Sequence, residues 1–248
     1  MPRVVFALLT VLLLLTTGAI ARAGDKEKAV IEAAIKAHGG AEYLAKFKMG
    51  RVKTEGTMAS PLGDTEFTQE EVFALPGKLR REVHMKVLGI ERIMLFVSDG
   101  DQSWVRRGDG PTQTVTAKSS ALEGHWSLSV SKLTSLLDKG VKLSPLPEEK
   151  INGRAVVGIK VEVDGQWQND LYFDKSNGFL VKTVKSAPKP GALEPVRTET
   201  VFDDYKEADG VQLPRKIAVY QDGKKTLAVT ITELKCLDKV DDKTFSRP

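Results

Sequence analysis

Asn-Gly and Asp-Gly dipeptides recur along this chain between segments that alternate apolar and polar residues, and that combination restricts it to a meander of hairpins. Asn152-Gly153, Asp164-Gly165, Asn177-Gly178, Asp209-Gly210 and Asp222-Gly223 supply the positive φ angles that tight hairpin turns require. Asp99-Gly100 does the same between the apolar run Ile93 to Val97 and the segment around Trp104. Leu79, Arg81, Val83, Met85 and Val87 alternate with Arg80, Glu82, His84 and Lys86, the period of a half-buried strand. Val157, Ile159, Val161 and Val163 repeat that pattern, as do Leu227, Val229 and Ile231. Consecutive hairpins place sequence neighbours side by side in one antiparallel sheet. Lys185 to Pro195, with three prolines and a glycine, lacks a clean period and reads as a long loop between two strands.

Helical spacing interrupts this grammar twice. After Asp25, a candidate cap, Val30, Ala33, Ala34 and Ala37 form a stripe that Gly39-Gly40 ends, and a short turn over Ala41 to Phe47 follows. In the middle of the chain, Leu122, Trp126, Val130, Leu133 and Leu137 recur at roughly helical spacing. Ser120-x-x-Glu123 is a capping box for this helix and Gly140 can close it. A sheet that buries one face in the usual way needs no such interruption, whereas a sheet that curls around a cavity needs a cover for its opening. The pattern therefore points to a binding protein for an apolar ligand.

The start of the chain bears on its compartment. Arg3 precedes the almost continuously apolar run Val4 to Ile20, and Ala21-Arg22-Ala23 is a small-residue cleavage signal, so residues 1–23 are expected to be a cleaved signal peptide. No cysteine follows the run to serve as a lipoprotein acceptor, so residues 24–248 are expected to form a single exported domain, soluble after cleavage. Two of the 37 basic residues, Arg3 and Arg22, lie in the leader; the remainder carries 35 basic against 33 acidic residues, which gives no nucleic-acid footprint. Cys236 is the single cysteine, so no intramolecular disulfide forms, and its strand-like setting marks it as a small buried side chain.

Several segments together are similar to the LolA-like outer-membrane lipoprotein-sorting proteins. They are the exported start and first helix, Leu75-Pro76-Gly77-Lys78-Leu79-Arg80, Val97 to Trp104, and the ending Asp241-Asp242-Lys243-Thr244-Phe245-Ser246-Arg247-Pro248. The resemblance implies a mostly β (α+β) fold: a strongly curved, unclosed antiparallel sheet, or half-barrel, with helices over its concave face. It also implies a cavity for acyl chains, with Ser120 to Gly140 as the lid. In well-studied members an arginine directly precedes the proline of the early hairpin and helps hold the lid shut; here that position is Leu75, with Arg80 and Arg81 further on.

An acyl chain leaving water gains about 0.8 kcal/mol per buried methylene, so a carrier needs a large apolar concavity with adaptable walls. Phe67, Phe73, Met85, Met94, Phe96 and Trp104 on the sheet, with Leu122, Trp126, Val130, Leu133 and Leu137 on the mid-chain helix, are the expected lining. No catalytic or metal-binding pattern competes with this. His38, His84 and His125 share no ligand spacing, one cysteine cannot build a structural zinc site, and there is no G-x-S-x-G elbow or phosphate loop. His38, at a helix end, would suit the helix dipole as an imidazolium. The pairs Glu70-Glu71, Glu148-Glu149 and Asp203-Asp204 point to opposite faces of a strand and cannot cooperate as acid and base. The reading is a periplasmic, cofactor-free, non-enzymatic, monomeric carrier of acyl chains of lipids or lipoproteins, with an inner-membrane releasing complex or an outer-membrane acceptor as partners. The alternatives are a periplasmic sensor module on the same fold and, more remotely, a hydrolase without a recognisable motif.

Overall fold

The structure, a computed structural model, describes residues 24–100, 102–115, 126–187 and 194–248. Two helices, α1 (Asp25–Ala37) and α2 (Ala41–Lys46), lead into β1 (Met49–Ser60), β2 (Gly63–Ala74), β3 (Lys78–Val87), β4 (Ile90–Asp99), β5 (Gln102–Arg107) and β6 (Gln113–Thr114). A short helix α3 (Trp126–Ser131) and a 3-10 turn (Thr134–Leu137) come next. The chain finishes with β7 (Val141–Pro145), β8 (Glu149–Ile151), β9 (Arg154–Val163), β10 (Gln166–Asp174), β11 (Leu180–Ala187), β12 (Val196–Ala208), β13 (Val211–Gln221), β14 (Lys224–Cys236) and a last 3-10 turn (Asp242–Phe245).

All fourteen strands join one antiparallel sheet, ordered β6-β5-β4-β3-β2-β1-β14-β13-β12-β11-β10-β9-β7, with β8 also pairing β9. Apart from β7–β9, which skips over β8, and one further junction, each pairing joins sequence neighbours, as the turn dipeptides imply. That further junction is β1–β14, which closes the two halves onto each other in the middle of the sheet. The end strands β6 and β7 do not meet, so the sheet is open and mostly β, as the alternation and the resemblance both predicted. Register shifts within β1–β14, β9–β10, β10–β11 and β13–β14 bend the ladder where they fall. The backbones also crowd: a Cβ on Gly56 would stand 2.1 Å from the Ala228 carbonyl oxygen, so only glycine fits there.

Asn152-Gly153, Asp164-Gly165, Asp209-Gly210 and Asp222-Gly223 each place both residues at positive φ. The turn Leu88-Gly89 does the same with Leu88 at φ 51, where the sequence gives no polar turn signal. Helix α1 starts one residue earlier than a cap at Asp25 would require, since Gly24 takes the cap position. Its buried stripe is Ile31, Ala34, Ile35 and His38, with Glu27, and not the alanine-rich stripe the spacing suggested; Ala33 is exposed. The two isoleucines bury far more apolar area than Ala33 and Ala37, and they set which side of the helix turns inward.

One face of the sheet carries the main core. Ile31, Ala34 and Ile35 of α1, Leu44 of α2, Val130 of α3 and Leu133 pack there on Val52, Phe73, Leu79, Ile159, Leu171, Phe173, Phe202, Leu213 and Ile231. This is the inner face. The opposite, outer face holds two smaller clusters. In one, Phe245 of the last 3-10 turn covers Val72, Leu95, Val97 and Trp104; in the other, Val156, Tyr172, Val181 and Val184 pack near Leu146.

The mid-chain helix differs from its expectation. Residues 120–125, and with them Leu122 and the capping box, lie outside the described residues. The remainder is a six-residue helix, α3, followed by a 3-10 turn and not one helix to Gly140. At the break Ser135 Oγ donates to the Lys132 carbonyl at 2.8 Å, a hydroxyl competing for a backbone hydrogen-bonding group.

Candidate ligand-binding face

Strand register sorts the expected lining residues by face. Phe73, Phe67, Leu79, Val83, Met85, Met94 and Phe96 all share the inner face: Phe73 pairs Leu79, Phe67 pairs Met85, Val83 pairs Met94, and Arg81 pairs Phe96. Phe73 is fully buried against Phe47, with ring centroids 5.7 Å apart, and Val130 and Leu133 are fully buried beside it. Leu137 packs on the rim of the same core. Met85, Met94 and Phe96 are half-buried, and Phe67 is buried outside the main cluster. Trp104 is not brought together with these residues. It points to the outer face, packed under Phe245 with Val97. Trp126 opens α3, and its side chain lies outside the described set.

The inner face of β1–β4 thus forms an apolar wall that continues the core beyond the helices. A polar set that the sequence reading did not single out crosses it. Glu71, 1% exposed, accepts from Arg81 Nε and from Gln69 Nε2 at 3.0 Å. Thr54 stands opposite Gln69 and is 4% exposed. Removing one member of a buried ion pair costs about 3–5 kcal/mol, and here the partly exposed Arg81 and the Gln69 hydrogen bond to Glu71 lessen that cost. The signal for this set was present in the alternation: Arg81 sits on the apolar side of its strand, in phase with Leu79 and Val83.

A groove of about 790 Å³ crosses seven strands from β4 to β12. Its lining falls in three consecutive cross-strand rows. Two of them, Asp203-Lys216-Thr230-Glu55-Thr68-His84-Ile93 and Val201-Ala218-Ala228-Thr57-Glu66 with Lys86-Glu91, project from the outer face. Between them run Ile217, Val229, Gly56, Phe67, Met85 and Arg92, whose side chains belong to the inner face, so they supply the floor with their backbones. The groove therefore opens on the outer face, with walls of mixed charge, and it meets the expected lining only at Phe67 and Met85.

His38 anchors the helices to the sheet. Its Nδ1 donates to the Ala34 carbonyl at 2.8 Å, and its Nε2 accepts from the Leu180 backbone N–H at 3.5 Å. The Phe179 and Tyr205 rings meet it edge-on, each 5.5 Å away. Burial lowers its pKa to about 4, against the lesser opposing effect of the Ala34 hydrogen bond, so the ring is neutral and the imidazolium expected at the helix end is not formed. The Cys236 thiol is pushed up to about 12, chiefly by burial and further by Asp209, which fits an inert thiol. Among the described residues no group of three or more His, Cys, Asp or Glu side chains could hold a metal ion.

The fold has counterparts among solved structures. A LolA superfamily protein from Nitrosomonas europaea superposes with a TM-score of 0.56 at 13% identity, over 89% of this chain and 97% of that one. An outer membrane lipoprotein-sorting protein domain from Vibrio parahaemolyticus gives 0.52 at 12% identity, over 89% and 96%. A DUF1329 family protein from Desulfovibrio piger gives 0.55 at 10% identity, over 89% and 97%. No protein-family model matches the chain, and no curated protein matches it in sequence. The open sheet with helices on one face is a LolA-like fold.

Proposed function

We propose that the chain is an exported, periplasmic carrier that binds the acyl chains of lipids or lipoproteins on its inner face for sorting to the outer membrane, and that residues 1–23 are its cleaved signal peptide. One observation carries the reading. Phe67, Met85, Met94 and Phe96 stand on one face of adjacent strands, contiguous with the helix-packed core yet beyond its main cluster. Methionine and phenylalanine side chains there can reshape around a flexible chain, and burying ten methylenes would favour binding by about 8 kcal/mol before ordering costs. No helix among the described residues is long and apolar enough to cross a membrane. The expected lid residues Leu122 and Trp126, with Val130, Leu133 and Leu137, complete the proposed site.

Titration of delipidated protein with a fluorescent fatty-acid analogue tests this directly. Saturable micromolar binding is expected, weakened at least tenfold by Met94→Asp and weakened by Trp126→Ala. Absence of binding by the folded wild-type protein would remove the carrier reading and favour a protein-binding sensor module on the same fold.

A further inference from the structure

A charged side chain stands on the inner face between two residues of the main core. Arg215 lies in β13 between Leu213 and Ile217, both members of the main core, and strand alternation turns all three to the same side. One step beyond the pair Lys216 and Thr230, the register sets Arg215 opposite Ile231, which in turn faces Thr54 on β1. Two side-chain atoms in this row are buried without a hydrogen-bond partner: Arg215 Nε and Thr54 Oγ1.

Asp204 on β12 falls opposite Arg215 in the register but forms no ion pair with it, its Oδ2 lying 4.0 Å from Lys206 Nζ. Glu71, the carboxylate on the same face, already accepts from Arg81 and Gln69. Among the described residues, Arg215 makes no ion pair. A guanidinium cannot shed its charge, and burying its Nε–H on a face shared with Leu213 and Ile217 is costly unless an acceptor arrives. Thr54 and Arg215 are two strand spacings apart, roughly 10 Å between backbones. An arginine side chain covers most of that distance, so a single oxyanion above Ile231 can reach both.

We propose that Arg215 and Thr54 form a seat for the anionic head of an amphiphile bound on the inner face. Oxygens of a carboxylate or phosphate accept from the guanidinium and from the threonine hydroxyl, while the acyl tail runs along the row towards Val83 and Met94. The proposal rests on the carrier reading and narrows it: the ligand is an acyl chain bearing a negative charge at one end. An arginine serves this better than a lysine, because its planar donors match an oxyanion in pairs.

The test is competition at pH 8 against a neutral fluorescent acyl probe on delipidated protein. Palmitate is compared with hexadecanol, and lysophosphatidate with monopalmitoylglycerol. Wild type is expected to hold the anionic member of a pair at least tenfold more tightly, and the larger of the two preferences identifies a carboxylate or a phosphate source. Arg215→Met and Thr54→Val should each reduce that preference with neutral binding unchanged, and Arg215→Lys should restore part of it. Arg215→Met should also melt no lower than wild type without ligand, since it removes an unpaired buried charge. Equal affinity of wild type for both members of each pair overturns the seat while leaving the carrier reading intact. So does a Met variant that weakens both members alike or that melts far lower. Failure of every ligand to displace or bind overturns the carrier reading and the seat with it.

Discussion

At His38 the end of α1 is tied to the sheet through both ring nitrogens, and the tie works only with a neutral ring. The folded pKa of about 4 lies below the usual value of 6.5, so above pH 6.5 neither state binds the proton and His38 leaves stability unchanged with pH. Between pH 6.5 and 4 the unfolded chain takes up a proton that the folded one refuses. Stability should fall through that window by about 3 kcal/mol from this group alone, and level off below it. Urea denaturation of wild type and His38→Gln at pH 7.5 and 4.5 measures the difference: the variant should lose less stability between the two pH values than wild type. Cys236 makes a parallel point. With its thiol raised to about 12, it should resist a disulfide reagent at pH 8 while the protein is folded and react fully in denaturant. Prompt reaction in the native state would show that the thiol is open to solvent.

Two elements carry their own tests. The β3–β4 hairpin turns at Leu88, 79% exposed and at φ 51, a conformation that suits asparagine far better than a branched apolar side chain. Leu88→Asn should therefore raise stability by up to about 1 kcal/mol in chemical denaturation. At the other end of the chain, Phe245 is 1% exposed beneath Val72, Leu95, Val97 and Trp104. Phe245→Ala should cost about 3–5 kcal/mol and shift the emission of Trp104 to the red as the outer-face cluster opens. The same elements show why some features were legible and others were not. Hairpins marked by Asn-Gly or Asp-Gly were readable because those residues tolerate positive φ at low cost, and Leu88-Gly89 was invisible for the opposite reason. The mid-chain helix was over-extended because its apolar spacing persists through the break, where the Ser135 hydroxyl competes for a backbone group. The inward side of α1 was misjudged by giving Ala33 and Ala37 the weight that Ile31 and Ile35 carry.

For the whole molecule, the consequence of the fold is that one sheet has two faces of different character, an inner one that carries the main core and an outer one crossed by a groove of mixed charge. Alternation in the sequence put Met85 on the side of Leu79 and Val83, because period-two patterning fixes facing within a strand, whereas the register of β2–β3 and β3–β4 brings Phe67, Met94 and Phe96 to that face. It did not say that Trp104 belongs to the other face, since that follows from the pairing of Val97 with Trp104 and from a tail that returns to cover it. Nor did it mark two neighbouring inner-face rows that carry polar groups, Thr54 with Gln69 and Arg215, and Glu71 with Arg81, the first of which depends on strands far apart in sequence meeting at the β1–β14 junction. The central claim is that the inner face holds an acyl chain. Native mass spectrometry of the protein expressed with its leader and purified from the periplasm without detergent tests it most directly. The account predicts loss of residues 1–23 and a further mass excess matching a phospholipid, fatty acid or acylated peptide. A bare mature mass that persists after incubation with lipid and lipoprotein would contradict it.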